Sequence, residues 1–65
     1  MDTRLLEHLI AEMEKSKHAY IESLVEGGAK DFADYKHLCG VIRGLAIAQI
    51  ETQDLLRKMK ENNDD

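Results

Sequence analysis

The sequence contains no proline, no tryptophan and a single cysteine, Cys39, among its 65 residues. A disulfide needs two cysteines, so a disulfide framework is excluded, and a lone thiol is typical of a reducing compartment such as a cytoplasm. The alternation of apolar and polar residues that marks strands is also essentially missing. Apolar residues recur instead at helical spacing, which favours an all-α chain.

The chain is short, and its net charge is small and negative. A chain of 65 residues is near the size at which one hydrophobic core only just offsets the entropy lost on folding. With disulfides excluded, self-association is the stabilising device that remains. The formal net charge is -4 and the basic residues are spread along the chain, so we expect no direct contact with nucleic acid.

Neither a signal peptide nor a membrane span is expected. The first four residues lack the basic start and apolar core of a signal peptide. The most apolar run is interrupted by Arg43 and is too short to cross a bilayer. We therefore expect no membrane partner, and a protein that stays in the compartment where it is made.

The first part of the sequence predicts an amphipathic helix over about residues 3–25, capped by Asp2 or Thr3. A subset of its positions steps by fours and threes, as a seam that faces another helix requires. Only Lys17 is polar among them, and a lysine can bury its stem while its ammonium group reaches water. The predicted seam positions are Leu6, Ile10, Met13, Lys17, Tyr20 and Leu24.

Two adjacent glycines, Gly27 and Gly28, mark the one clear break in the helical pattern. Glycine reaches the left-handed conformation that closes a helix, so we predict a turn over residues 26–30. A turn of this length joins antiparallel helices in a hairpin.

A second helix is predicted over about residues 31–60. Asp31 and Asp34 resemble a capping box, in which aspartate replaces the usual glutamate and both acids meet the positive helix end. Residues 61–65 are expected to form a frayed acidic tail. The whole chain, residues 1–65, is thus predicted to be a single domain, an antiparallel two-helix hairpin.

Helix two carries more apolar surface than one neighbour covers. Between positions 38 and 50 its apolar residues spread over roughly 220° of the circumference, whereas a single neighbour buries a stripe of about 100° or more. Helix two is also longer than helix one, so we expect Leu55, Leu56 and Met59 to project past the hairpin. Both features predict a homodimer that forms a four-helix bundle, or a higher oligomer. The predicted interface residues are Leu38, Val41, Ile42, Leu45, Ile50 and Leu56, with Gly40 and Gly44 at the edge.

The polar and glycine residues between His37 and Gly44 predict no catalytic or metal site. His37 and Cys39 are two residues apart on a helix and point about 200° from each other, so they cannot share a metal or a nucleophilic site locally. Gly40 and Gly44 permit close approach of a second backbone, or merely weaken the helix. Arg43 anchors an interchain ion pair, or is simply solvated. No catalytic residue, metal ligand or cofactor is predicted.

The segment from Tyr35 to Leu45 follows the pattern Tyr-x-x-Leu-x-Gly-x-Ile-Arg-Gly-Leu. In this pattern it resembles small proteins encoded by tailed bacteriophages. With the following residues 46–56, the resemblance covers the C-terminal half of the chain. It implies a virus-encoded helical hairpin, of a kind often found among genes for virion parts and made in the cytoplasm of the bacterial host.

We therefore expect a non-enzymatic, oligomeric protein-interaction module of a tailed bacteriophage, either a virion structural component or an assembly factor. Its expected partners are itself and other virion proteins. The alternative is a small regulatory protein that binds and inhibits a host enzyme or nucleic-acid machine. Its working surface would be the acidic face, with Glu7, Glu14, Glu22 and Asp34.

Overall fold

The computed structural model describes residues 2–63 and confirms the all-α hairpin. Helix α1 spans Arg4–Val25 and helix α2 spans Phe32–Asn63, and the two pack against each other in antiparallel order. The molecule is a rod with principal extents of 52 × 15 × 12 Å. Nearly every side chain is therefore close to the surface.

The start of α1 is held by Asp2 more than by Thr3. Thr3 occupies the N-cap position, but its side chain makes no capping hydrogen bond. The Asp2 carboxylate accepts a hydrogen bond from the Arg4 amide at 2.9 Å and pairs with the Arg4 guanidinium at 3.0 Å. The bonds from Arg4 lower the pKa of Asp2. Asp2 thus satisfies one of the amides that the first turn leaves unpaired.

The turn after α1 is a Schellman motif. The Gly27 amide donates to the Leu24 carbonyl at 3.1 Å, and the Gly28 amide donates to the Ser23 carbonyl at 2.7 Å. Gly27 has a φ of 79°, in the left-handed region that favours glycine. The predicted turn is confirmed, and each glycine has its own part in it.

The start of α2 confirms the predicted cap. The Asp34 amide donates to the Asp31 carboxylate at 2.8 Å, and the Asp34 carboxylate accepts from the Lys30 amide at 3.0 Å. The reciprocal bond thus reaches Lys30 and not Asp31, one residue earlier than in the usual capping box. The two acids therefore pair with amides at the positive end of the helix.

The C-terminal end of α2 lies beyond the predicted one. The helix continues to Asn63 and so includes the first residues of the predicted tail; Asp64 and Asp65 lie outside the described residues. Arg57 bridges this last part, with Asp54 on one side and Glu61 at 3.0 Å on the other. Pairs three or four residues apart stabilise a helix, which supports the extra turn.

Two contacts between the helices fix their register. The Gln49 amide group donates to the Glu14 carboxylate at 2.6 Å, and the Lys60 ammonium lies 3.2 Å from the Glu7 carboxylate. Most of the half-buried residues lie on the sides by which the two helices contact each other. On α1 they include the predicted seam except Tyr20, which is exposed. On α2 they include Leu38, Ile42, Leu45, Thr52, Leu56 and Met59, with Gln49 buried among them.

The expectation that the C-terminal part of α2 projects past the hairpin is wrong. Lys60 lies level with Glu7, and Leu56 and Met59 are half-buried, so the N-terminal part of α1 covers this end of α2. Since α2 has 32 residues and α1 has 22, the excess length lies at the other end, beside the turn. The first two turns of α2 therefore extend past the end of α1.

Candidate interaction surface

Half of the predicted interface residues pack inside the hairpin and are half-buried there. Leu38, Ile42, Leu45 and Leu56 are half-buried along the line that includes Gln49, the residue in contact with α1. Val41 is half-buried beside that line. The broad apolar arc of α2 thus includes the contact with α1 as well as apolar residues that stay exposed.

The remaining predicted residues face solvent. Ile50 is 66% exposed. Gly40 and Gly44 are exposed as well, and a β-carbon built at either position would meet nothing within 4 Å. Neither glycine is therefore required for the contact between α1 and α2.

No apolar side chain is fully buried in the part of the chain that the structure describes. Ten large apolar residues are exposed instead. Three of them lie on one side of α2, beside the seam: Phe32, 72% exposed, Tyr35 and Ile50. Phe32 and Ile50 are eighteen residues apart, which is five helical turns, so they lie on the same face.

Helix α1 adds two exposed residues to the same side. The Glu7–Lys60 ion pair shows which side of α1 adjoins this face of α2. Val25 is eighteen residues from Glu7 and Ile21 is fourteen, so both lie on that side; Val25 is 81% exposed. We call the five residues Ile21, Val25, Phe32, Tyr35 and Ile50 the apolar flank.

The aromatic part of the flank is ordered by contacts within α2. The Phe32 and Tyr35 rings stack with centroids 6.3 Å apart, and the Lys36 ammonium lies 5.6 Å from the centre of the Phe32 ring. Cys39 is half-buried one turn beyond Tyr35, and its side chain raises the pKa of the Tyr35 hydroxyl group. Both rings lie where α2 extends past the end of α1, which explains why they remain exposed.

A polar layer crosses the seam, and the sequence analysis did not identify its central residue. Gln49 is 6% exposed and is the one fully buried residue of the described chain. Its bond to Glu14, followed by the Glu14–Lys17 pair at 3.2 Å, lowers the pKa of Glu14. The Gln49 carbonyl oxygen is buried and has no hydrogen-bond partner. Gln49 is four residues after Leu45 and seven before Leu56, and this spacing is the sequence signal that places it on the seam.

The acidic residues of the alternative prediction all have partners within the chain. Glu7 pairs with Lys60, and Glu14 pairs with Lys17 and Gln49. Glu22 lies 3.0 Å from the His18 ring nitrogen, and Asp34 takes part in the cap of α2. Glu7 and Glu14 lie two turns apart on one side of α1, whereas Asp34 lies at the start of α2.

Other chemical features are sparse over residues 2–63. Arg43 is exposed and forms no ion pair with another described residue, which fits both a solvated arginine and one that pairs with a second chain. Within this range no three His, Cys, Asp or Glu side chains are grouped as a metal site, and no cavity is present. Neither described helix is long and apolar enough to cross a membrane.

The fold and the surface together define a two-helix antiparallel hairpin with an exposed apolar flank. Comparison with protein-family models, curated proteins and solved structures finds no match to this chain.

Proposed function

We propose that this chain is a non-enzymatic protein-interaction module that works as an oligomer through apolar contacts between helices. One observation supports the proposal most directly: the described residues include no fully buried apolar side chain, while ten large apolar residues are exposed. Exposed apolar area of this extent marks a surface that another molecule covers. Self-association supplies that cover and the stability that a chain of this size needs.

The biological setting of the proposal rests on the motif from Tyr35 to Leu45. Its resemblance to small proteins of tailed bacteriophages supports a virion structural component or an assembly factor, made in the host bacterial cytoplasm. In that setting the partners are further copies of the chain and other virion proteins.

Sedimentation equilibrium of the purified chain tests self-association. We expect a mass of two or more chains at low micromolar concentration, together with a helical circular dichroism spectrum. A folded monomer under these conditions would contradict the proposal.

Mass spectrometry separates the virion function from the alternative of a host-directed inhibitor. A virion component is expected in purified particles, whereas an inhibitor is expected only in infected lysate, bound to a host protein. The inhibitor is less favoured, because Glu7, Glu14, Glu22 and Asp34 already pair within the chain. An assembly factor that leaves the finished particle would be found in precursor particles alone.

A further inference from the structure

We propose that the apolar flank is the surface on which a second copy of the chain docks, with the two α2 helices antiparallel. This inference rests on the proposed function, and it names the surface and the partner. Five residues form the flank: Ile21, Val25, Phe32, Tyr35 and Ile50, all exposed. The seam residues of α2 are unavailable, because they already pack against α1.

The exposed area indicates how much surface the second copy covers. The chain exposes 5047 Å². A folded monomer of 7.4 kDa is expected to expose about 4,200 Å², so this chain exposes roughly 800 Å² more. A stable interface of standard size removes about 800 Å² from each partner. The excess is therefore similar in size to the area that one further copy covers at such an interface.

The arrangement of the flank favours a two-fold contact between identical surfaces. Phe32 and Ile50 lie at opposite ends of one face of α2, about 27 Å apart along the axis. If two α2 helices pack antiparallel about an axis near residue 41, Phe32 of one copy lies over Ile50 of the other. Both ends of the interface then bury the same apolar pair, as a closed dimer requires. Arg43 is exposed and lies seven residues before Ile50 on this face, so in the dimer its stem packs near the axis while its guanidinium group reaches water at the rim.

The other side of α2 supplies a matched control. Leu55 is 50% exposed and lies on the other side of the seam, about 140° from Ile50 when measured around the solvent-facing side of the helix. An acidic side chain at residue 55 therefore tests charge and helix propensity without touching the flank. Since Ile50 and Leu55 are both exposed in the hairpin, neither substitution removes a contact between α1 and α2.

The first experiment compares Ile50→Glu with Leu55→Glu by sedimentation equilibrium. Ile50→Glu is expected to raise the dimer dissociation constant at least about 100-fold, since a two-fold interface loses the buried side chain twice. Leu55→Glu is expected to change it less than about threefold, as for substitutions outside an interface core. Equal loss in both variants, or none in Ile50→Glu, would overturn the docking surface.

The second experiment tests the antiparallel order with oppositely charged variants. Phe32→Lys and Ile50→Glu are each expected to be dissociated alone. An equimolar mixture is expected to recover association, because one end of the mixed dimer keeps Phe32 over Ile50 and the other pairs lysine with glutamate. The test remains valid if each variant alone loses helix content, because the mixture is then expected to regain that helix content together with association.

The outcomes separate this inference from the proposed function. A monomeric wild-type chain would overturn both. An oligomeric wild type whose assembly survives Ile50→Glu would leave the proposed function in place and remove the flank as its surface. A mixture that stays dissociated would overturn the antiparallel order.

Discussion

Gln49 is a buried amide in the middle of an apolar seam, with one of its two polar groups left unpaired. Its amide nitrogen donates to Glu14, while its carbonyl oxygen is buried without a partner. An unsatisfied buried acceptor costs about 1–3 kcal/mol. Polar residues at such positions fix the register of helix pairs at a cost in stability, so Gln49 belongs to the residues that align α1 with α2.

Replacing Gln49 with leucine is expected to increase the free energy of unfolding by about 1–2 kcal/mol, because removing the unpaired carbonyl and filling the seam together outweigh the lost bond to Glu14. Urea denaturation followed by circular dichroism measures the change. Gln53→Leu is the control, since Gln53 is exposed on the same helix and the same substitution there should have little effect. A less stable Gln49→Leu protein would show that the amide stabilises the hairpin.

Glu14 is expected to make the stability of the hairpin depend on pH. The Gln49 bond and then Lys17 lower its pKa below the ordinary 4.5, with His18 contributing last. A carboxyl group whose pKa is lowered by folding adds stability above its unfolded pKa, and loses it as the pH falls through the folded pKa. Glu14→Gln should therefore be less stable than the wild type at pH 7, and the difference should disappear in acid.

Urea midpoints measured from neutral pH down to well below pH 4.5 test this pH dependence. Glu51→Gln is a suitable control, because Glu51 is exposed on the side of α2 that faces away from α1. If the difference in urea midpoint between Glu14→Gln and the wild type stays constant with pH, the charge of Glu14 does not contribute to the stability of the hairpin.

At the scale of the elements, the ends of the helices depend on short stretches of sequence. Asp31 and Asp34 cap α2 with two backbone bonds, and Gly27 and Gly28 close α1 in a Schellman motif. These signals are local, so the sequence was sufficient to place the turn and the start of α2. The predicted C-terminal limit of α2 is three residues short, because the bridges of Arg57 to Asp54 and Glu61 support a further turn.

Gly28→Ala is expected to destabilise the hairpin by more than about 1 kcal/mol. A β-carbon at residue 28 would lie 2.7 Å from the Ser23 carbonyl oxygen and would also clash with the Ser23 hydroxyl group. The opposite result is expected for Gly40→Ala, where a β-carbon meets open space in the middle of α2. There alanine should raise stability by up to about 1 kcal/mol, through its higher helix propensity.

Thermal unfolding by circular dichroism measures both glycine variants. If Gly28→Ala is stabilised as well as Gly40→Ala, the turn relaxes to accept a β-carbon at residue 28. A destabilised Gly40→Ala protein would indicate instead that a second chain approaches α2 closely at this residue, as the sequence pattern had allowed.

At the scale of the whole molecule, a rod 15 Å by 12 Å in cross-section cannot enclose apolar side chains by itself. We therefore expect the thermal midpoint to rise with chain concentration, by about 5 °C per tenfold for a dimer of this length, because association stabilises the folded state. Circular dichroism melting curves recorded over a hundredfold range of concentration check this. A midpoint independent of concentration would mean that the hairpin is stable as a monomer.

The sequence by itself determined the class of fold, the turn, the cap of α2 and most of the seam, because helical spacing, glycine and capping residues act over a few neighbours. Tertiary structure alone decided which of the apolar residues of α2 are used inside the hairpin. Leu38, Ile42 and Leu45 pack toward α1, whereas Phe32 and Ile50 stay exposed. That division depends on the register set by Gln49 and Lys60, which brings together residues 35 or more positions apart. Helical spacing repeats along the whole of α2 and cannot specify such a register.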